Sequence, residues 1–130
     1  MGENLPNGRV ALVVDDSMLI RHTVCRFLEE RGFMVESATN PVEALEILTR
    51  VDPQIIITDM QMPRMSGSEF ITALKADPHT ASIPIVILAG KQSGFQDTEK
   101  RANYAIFKDI DIESQLQIAL TAALGAAVAG

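Results

Sequence analysis

The sequence predicts an α/β fold, a doubly wound five-stranded parallel sheet. Three observations predict it. Ile55-Ile56-Ile57-Thr58 is an apolar, β-branched run without alternation, the pattern of a strand buried on both faces. Val10-Ala11-Leu12-Val13-Val14 and Ile83-Pro84-Ile85-Val86-Ile87-Leu88 repeat that pattern. Segments of helical period separate the runs, so consecutive strands need crossovers, which are right-handed.

Taken in order, residues 1–8 read as a loose lead-in without the basic and apolar regions of a signal peptide. The strand at 10–14 ends in Asp15-Asp16-Ser17. Ile20, Val24, Phe27 and Leu28 then share one helix face, with Ser17 as N-cap and Gly32 just past the C-terminus. Arg21, Arg26 and Arg31 lie off that stripe and read as a solvated face. Met34–Ala38 is a weaker strand suited to a sheet edge. Asn40-Pro41-Val42-Glu43 opens the next helix, with Pro41 at its first position and Glu43 reaching back to the cap. Ala44, Leu45 and Leu48 give it an apolar face, and Asp52-Pro53 ends the segment.

The central strand ends in Asp59 and runs into Met60-Gln61-Met62-Pro63, a loop. Ser66-Gly67-Ser68-Glu69 is a capping box for a helix with Phe70, Ile71 and Leu74 inward, stopped by Asp77-Pro78. Residues 91–101 are polar, and a helix there has little to bury. Tyr104-Ala105-Ile106-Phe107 is the last strand, followed by Lys108. Leu116, Ala119, Leu120, Ala123 and Leu124 keep the period of a long amphipathic helix, and residues 125–130 read as a fraying tail.

Composition narrows the function classes. The chain has 130 residues, enough for one domain with a full core, and 47% are apolar. A net charge of −6 argues against nucleic-acid binding by this domain. No apolar run is long enough for a membrane span. Cys25 is the only cysteine, so no internal disulfide forms and a cytoplasmic location is expected. Cys25 reads as a packing residue on the helix flank.

The carboxyl ends of parallel strands share one edge. Asp15, Asp16, Asp59 and Lys108 therefore converge although they are far apart in sequence. Each has a plain alternative: the aspartates could cap the turns that follow them, and Lys108 could be a solvated strand end. Together they form a pocket of three repelling carboxylates. Two charges 4 Å apart cost about 4 kcal/mol at an effective dielectric of 20. Lys108 and a hard divalent cation such as Mg²⁺ would offset the repulsion. A carboxylate beside a metal and a lysine is equipped to become an aspartyl phosphate.

With these residues the sequence resembles the receiver domain of two-component response regulators, the chemotaxis-regulator type with flavodoxin-like strand order 2-1-3-4-5. The resemblance covers residues 9–124. It rests on Val13-Val14-Asp15-Asp16-Ser17, on Asp59-Met60-Gln61-Met62-Pro63-Arg64-Met65-Ser66-Gly67, on Ile83–Leu88 and on Lys108. It implies that Asp59 accepts phosphate from a phosphohistidine donor, a sensor histidine kinase or a phosphotransfer protein. It implies that Asp16, Asp59 and the Gln61 backbone carbonyl bind Mg²⁺, with Asp15 helping through water, and that Lys108 pairs with the phosphoryl group. It implies a protein that assists its own phosphorylation and dephosphorylation rather than an enzyme with a separate substrate.

Three departures bear on that expectation. Ala89 stands where the family usually has Thr or Ser. Ala105 stands where it has an aromatic, and Tyr104, one residue earlier, belongs to the opposite face of the strand. Asp109 follows the lysine in place of Pro, so a trans Lys108–Asp109 bond is expected. The acceptor chemistry is left intact by these departures and the usual Thr–aromatic switch is not, so an atypical switch is expected. The missing switch residues also favour an alternative, a receiver-like module that docks or homodimerises without phosphorylation, against which the complete acid pocket counts. A phosphatase of the haloacid dehalogenase type would need a D-x-D after the first strand, a spacing that Asp15-Asp16-Ser17 lacks.

Overall fold

The computed structural model describes residues 9–62, 64–90, 101–108 and 111–124. The expectations for the lead-in at 1–8, the segment 91–100, the Lys108–Asp109 bond and the tail at 125–130 lie outside those residues.

Five parallel strands form the sheet: β1 (Val10–Val14), β2 (Met34–Ala38), β3 (Ile55–Asp59), β4 (Ile85–Ala89) and β5 (Tyr104–Phe107). Their order is β2-β1-β3-β4-β5, as the sequence predicts. β2 is an edge strand and its outer residue Met34 is exposed. β4 begins and ends later than the apolar run suggests, at 85–89 instead of 83–88. Four helices lie among the described residues: α1 (Met18–Glu29), α2 (Pro41–Ile47), α3 (Gly67–Ala76) and α4 (Ile112–Leu124).

The period-two alternation of each strand sorts its side chains into two cores. On one face, Ala11, Val13, Ile55, Ile57, Val86, Leu88 and Ile106 pack with Val24, Phe27 and Leu28 of α1 and Leu116, Ala119 and Leu120 of α4. On the other, Leu12, Val14, Ile56, Ile85 and Ile87 pack with Ala44 and Ile47 of α2 and Phe70, Ile71 and Leu74 of α3. Tyr104 joins the first face and Ala105 the second, the split expected of neighbours on a strand.

The helix ends follow their cap residues. Ser17 Oγ accepts from the Ile20 N–H at 3.3 Å. Gly32, three residues past α1, takes φ +90°, where an L side chain is disfavoured. The capping box at α3 is complete. Glu69 N–H donates to Ser66 Oγ at 3.1 Å and Ser66 N–H to Glu69 Oε1 at 3.0 Å. At α2, Asn40 accepts from the Glu43 N–H at 2.9 Å. Glu43 itself reaches one residue further than predicted, to the N–H and hydroxyl of Thr39 at 2.7 and 3.0 Å.

The solvated-face reading of the arginines holds only for Arg26. Arg31 stacks on the Phe27 ring, 3.5 Å from its centroid, and donates to Gln117 Oε1 at 3.0 Å, tying α1 to α4. Arg21 donates to the Asp15 carbonyl at 2.9 Å. A long stem lets each guanidinium reach a partner outside the apolar stripe.

Candidate functional site

The chain leaves β1 toward β2 on one side and returns through β3 on the other. The crossovers therefore diverge between β1 and β3, and a crevice opens at the carboxyl ends of these strands. The register pairs Val14 with Thr58, so the next residues, Asp15 and Asp59, flank that crevice. β5 delivers Lys108 from two strands away.

These side chains meet. Lys108 Nζ lies 3.0 Å from Asp15 Oδ2 and 3.0 Å from Asp59 Oδ2. Asp15 is fully buried and Asp59 is 4% exposed, whereas Asp16 stands at the exposed rim. One oxygen from each of Asp15, Asp16 and Asp59 falls within a mutual 4.8 Å. All four convergent residues expected from the sequence are thus in one place.

Backbone donors orient the carboxylates. Asp15 Oδ1 accepts from the Ser17 N–H at 2.8 Å, and the Asp15 N–H bonds Ala38 O at 3.1 Å. Asp59 Oδ1 accepts from Met60 N–H at 2.7 Å and Gln61 N–H at 3.3 Å. These bonds leave the Oδ2 atoms to face Lys108. Asp15 Oδ2 is buried and, among the described residues, has no hydrogen bond of good geometry; the Lys108 ammonium pairs with it at 3.0 Å. Gln61 is exposed and meets the site through its N–H.

The electrostatics follow from burial and crowding. Desolvation pushes the Asp15 carboxyl above its ordinary range, and the Asp59 charge adds to this; the Ser17 N–H and Lys108 pull the other way without cancelling it. Burial alone would lower the Lys108 ammonium. The bonds and charges of Asp15 and Asp59 outweigh it, so its pKa is raised and the lysine stays charged.

The loop between Asp59 and α3 carries two features that residue patterns missed. Arg64 sits at φ +78°, uncommon for a non-glycine residue. Gly67 opens α3 directly against β3. A Cβ there would lie 2.6 Å from Met60 Cα and 2.8 Å from the Asp59 carbonyl oxygen. Its N–H bonds the Met60 carbonyl at 3.1 Å. The glycine in Met65-Ser66-Gly67 was visible in the sequence, but a close approach across the chain was not.

Ala89 ends β4, 2% exposed, and its carbonyl accepts the Lys108 N–H at 3.0 Å. It stands at the carboxyl end of β4, the edge of the sheet that carries the site, and has no hydroxyl to offer there. Ala105 packs on the α2/α3 face of the sheet.

Comparison with known proteins agrees with this geometry. The family model for the response regulator receiver domain matches residues 11–120. The chain is 37% identical over 81 residues to response regulator Rre1 of Synechocystis, covering 62% of this chain and 35% of that protein. It is 36% identical over 89 residues to hybrid signal transduction histidine kinase D of Dictyostelium discoideum, covering 68% of this chain and 6% of that protein. The chain thus spans about a third or less of these two relatives. The solved structure of the chemotaxis response regulator CheY4 of Vibrio cholerae superposes with a TM-score of 0.79 at 30% identity, covering 88% of this chain and 98% of that one. With the 2-1-3-4-5 sheet and the acid pocket at its switch point, this chain belongs to the response regulator receiver domain family of two-component systems.

Proposed function

We propose that this receiver domain is a phosphoacceptor in which Asp59 takes a phosphoryl group from a phosphohistidine on a sensor histidine kinase or phosphotransfer protein. The observation that carries the reading is the Lys108 ammonium, held at 3.0 Å from both Asp15 and Asp59 beside a third carboxylate. A purely structural ion pair would need one carboxylate, and crowding three is costly.

The pocket fits a hard divalent cation. Its donors are all oxygens, three carboxylates lie within reach of one point, and Asp15 Oδ2 has hydrogen-bonding capacity left over. Asp16, Asp59 and the Gln61 carbonyl would hold Mg²⁺, and Asp15 would act through a water. When bound, the ion neutralises charge on the oxygens of the transferring phosphoryl group. The chain supplies the remainder. Asp59 presents a carboxylate oxygen that bonds to phosphorus as the phosphorus–nitrogen bond of the donor breaks and its electron pair returns to the imidazole. The N–H groups of Met60 and Gln61 hold that carboxylate in position. Lys108 pairs with a phosphoryl oxygen. Water later hydrolyses the acyl phosphate, so the domain assists its own phosphorylation and dephosphorylation and turns over no separate substrate.

Ala89 and Ala105 set the readout apart. A hydroxyl at the end of β4 would bond the phosphoryl group and draw the following loop inward, and a methyl does not. Phosphorylation in this chain is therefore weakly coupled to change in β4 and β5. The same two residues are the one point in favour of the rival reading, a docking or homodimerising module that is never phosphorylated. The intact acid pocket counts against it. Among the described residues no helix is long and apolar enough to cross a membrane.

The test is incubation with a small phosphodonor and Mg²⁺, read by intact mass. One added phosphoryl group on the native chain, none on Asp59→Asn and none in chelator is the expected result. Phosphorylation of Asp59→Asn at the native rate contradicts the proposal.

A further inference from the structure

β5 closes the sheet, so among the described residues one of its edges has no neighbouring strand. Its peptide groups there need other partners. At the last residue of the strand they find one side chain. Gln115 Oε1 accepts from the Phe107 N–H at 3.0 Å, and Gln115 Nε2 donates to the Phe107 carbonyl at 2.9 Å. A primary amide carries one acceptor and one donor group at the spacing of a peptide, so it stands in for a sixth strand at this single position. On the other side the next N–H, that of Lys108, bonds Ala89 O at 3.0 Å. The chain is thereby pinned from both edges at two successive residues.

The amide is itself anchored. Gln115 Nε2 also donates to the Asp111 carbonyl at 3.2 Å. Asp111 holds the first turn of α4 by accepting from Ser114 N–H at 3.3 Å and Ser114 Oγ at 2.8 Å. The following residue, Leu116, is fully buried in the core shared with α1.

The residue directly after the clamped peptide is Lys108, whose Nζ must sit within 3.0 Å of two different carboxylates. From these contacts we infer that Gln115 is a positioning residue for Lys108: its amide fixes the end of β5 and so aims the ammonium into the acid pocket. The inference deepens the phosphoacceptor reading and rests on it for its kinetic consequence, but its structural part stands in the metal-free protein.

Two measurements on the full chain test it. The first is the side-chain ammonium ¹H–¹⁵N signal of Lys108 in metal-free protein, assigned by its loss in Lys108→Arg. Held between two carboxylates, it should be resolved and slow to exchange. In Gln115→Leu, which keeps an apolar anchor but no hydrogen bonds, it should broaden or vanish while the backbone spectrum stays that of a folded domain. The second is the rate of Asp59 phosphorylation by acetyl phosphate with Mg²⁺ in a double-mutant cycle. Gln115→Leu should slow it about ten- to a hundredfold, and should slow it no further in a Lys108→Ala background. If Gln115→Leu does not fold, Gln115→Glu serves instead. It keeps the acceptor for the Phe107 N–H, turns a second acceptor on the Phe107 carbonyl, and should give the same losses. An unchanged Lys108 signal in a folded variant, or an equal fold-loss with and without Lys108, overturns the inference. A native chain that takes no phosphoryl group at all would instead sink the acceptor reading, and the ammonium signal would still decide the clamp.

Discussion

Asp15 is the residue at which the conflict inside the pocket is sharpest. It is fully buried, its pKa is raised first by desolvation and then by Asp59, and the ion pair with Lys108 does not cancel this. A carboxyl whose folded pKa exceeds its unfolded value contributes stability at acid pH and loses it as pH rises past that unfolded value. Above that unfolded value Asp15 is therefore a net cost to the metal-free fold. Asp15→Asn keeps an oxygen for the Ser17 N–H and leaves Lys108 its contact with Asp59. Metal-free Asp15→Asn should melt higher than the native chain at neutral pH. Mg²⁺ should stabilise the native chain, by about 2.7 kcal/mol at a hundred times its Kd, and the Asn variant much less. Calorimetry with and without the ion checks both. A lower melting temperature for metal-free Asp15→Asn would show that the Lys108 pair outweighs desolvation.

At the scale of elements, the junction between β3 and α3 is the tightest in the site. Gly67 lets the first turn of α3 approach Met60 and the carbonyl of Asp59, and a Cβ would come within 2.6 Å of backbone. Gly67→Ala should cost about 1–3 kcal/mol in a denaturant titration. It should also slow phosphorylation, because the atoms it would crowd include the backbone of Met60 and of Asp59 itself. A stable variant of native activity would mean that the loop absorbs the methyl group elsewhere. The strands were readable in the sequence because Ile55–Ile57 and Ile85–Leu88 are buried on both faces, which leaves an unbroken apolar run. The caps at Ser17, Asn40 and Ser66 were readable because capping is local. What depends on contacts across the chain was not: the closeness of Gly67 to Met60, the stacking of Arg31 on Phe27, and the amide of Gln115 on Phe107. The spacing of Leu116, Ala119 and Leu120 announces a helix, but nothing in it says that the glutamine before Leu116 turns to a strand edge. Asp15, Asp59 and Lys108 were readable as a site because parallel topology alone puts strand ends together.

For the whole molecule, the question is whether an event at Asp59 travels. A ligand shifts an equilibrium only by its differential affinity for two states. On the proposed phosphoacceptor reading, the missing hydroxyl at Ala89 should lower that difference by about 1.5–3 kcal/mol, the worth of a hydrogen bond to a charged group. Amide NMR with a stable phosphoryl mimic at Asp59 should show shifts confined to the loops around Asp15, Asp59 and Lys108. Shifts spreading through residues 91–107 contradict weak coupling. Installing Thr at 89 and Tyr at 105 together should widen the response. All of this presupposes that Asp59 is the residue that takes the phosphate, and borohydride trapping tests that most directly. The chain is phosphorylated with Mg²⁺ and a small donor, the acyl phosphate is reduced, and peptides are mapped by mass. Homoserine at position 59 and at no other aspartate is the predicted result. Homoserine at Asp15 or Asp16, or at no position, would contradict it.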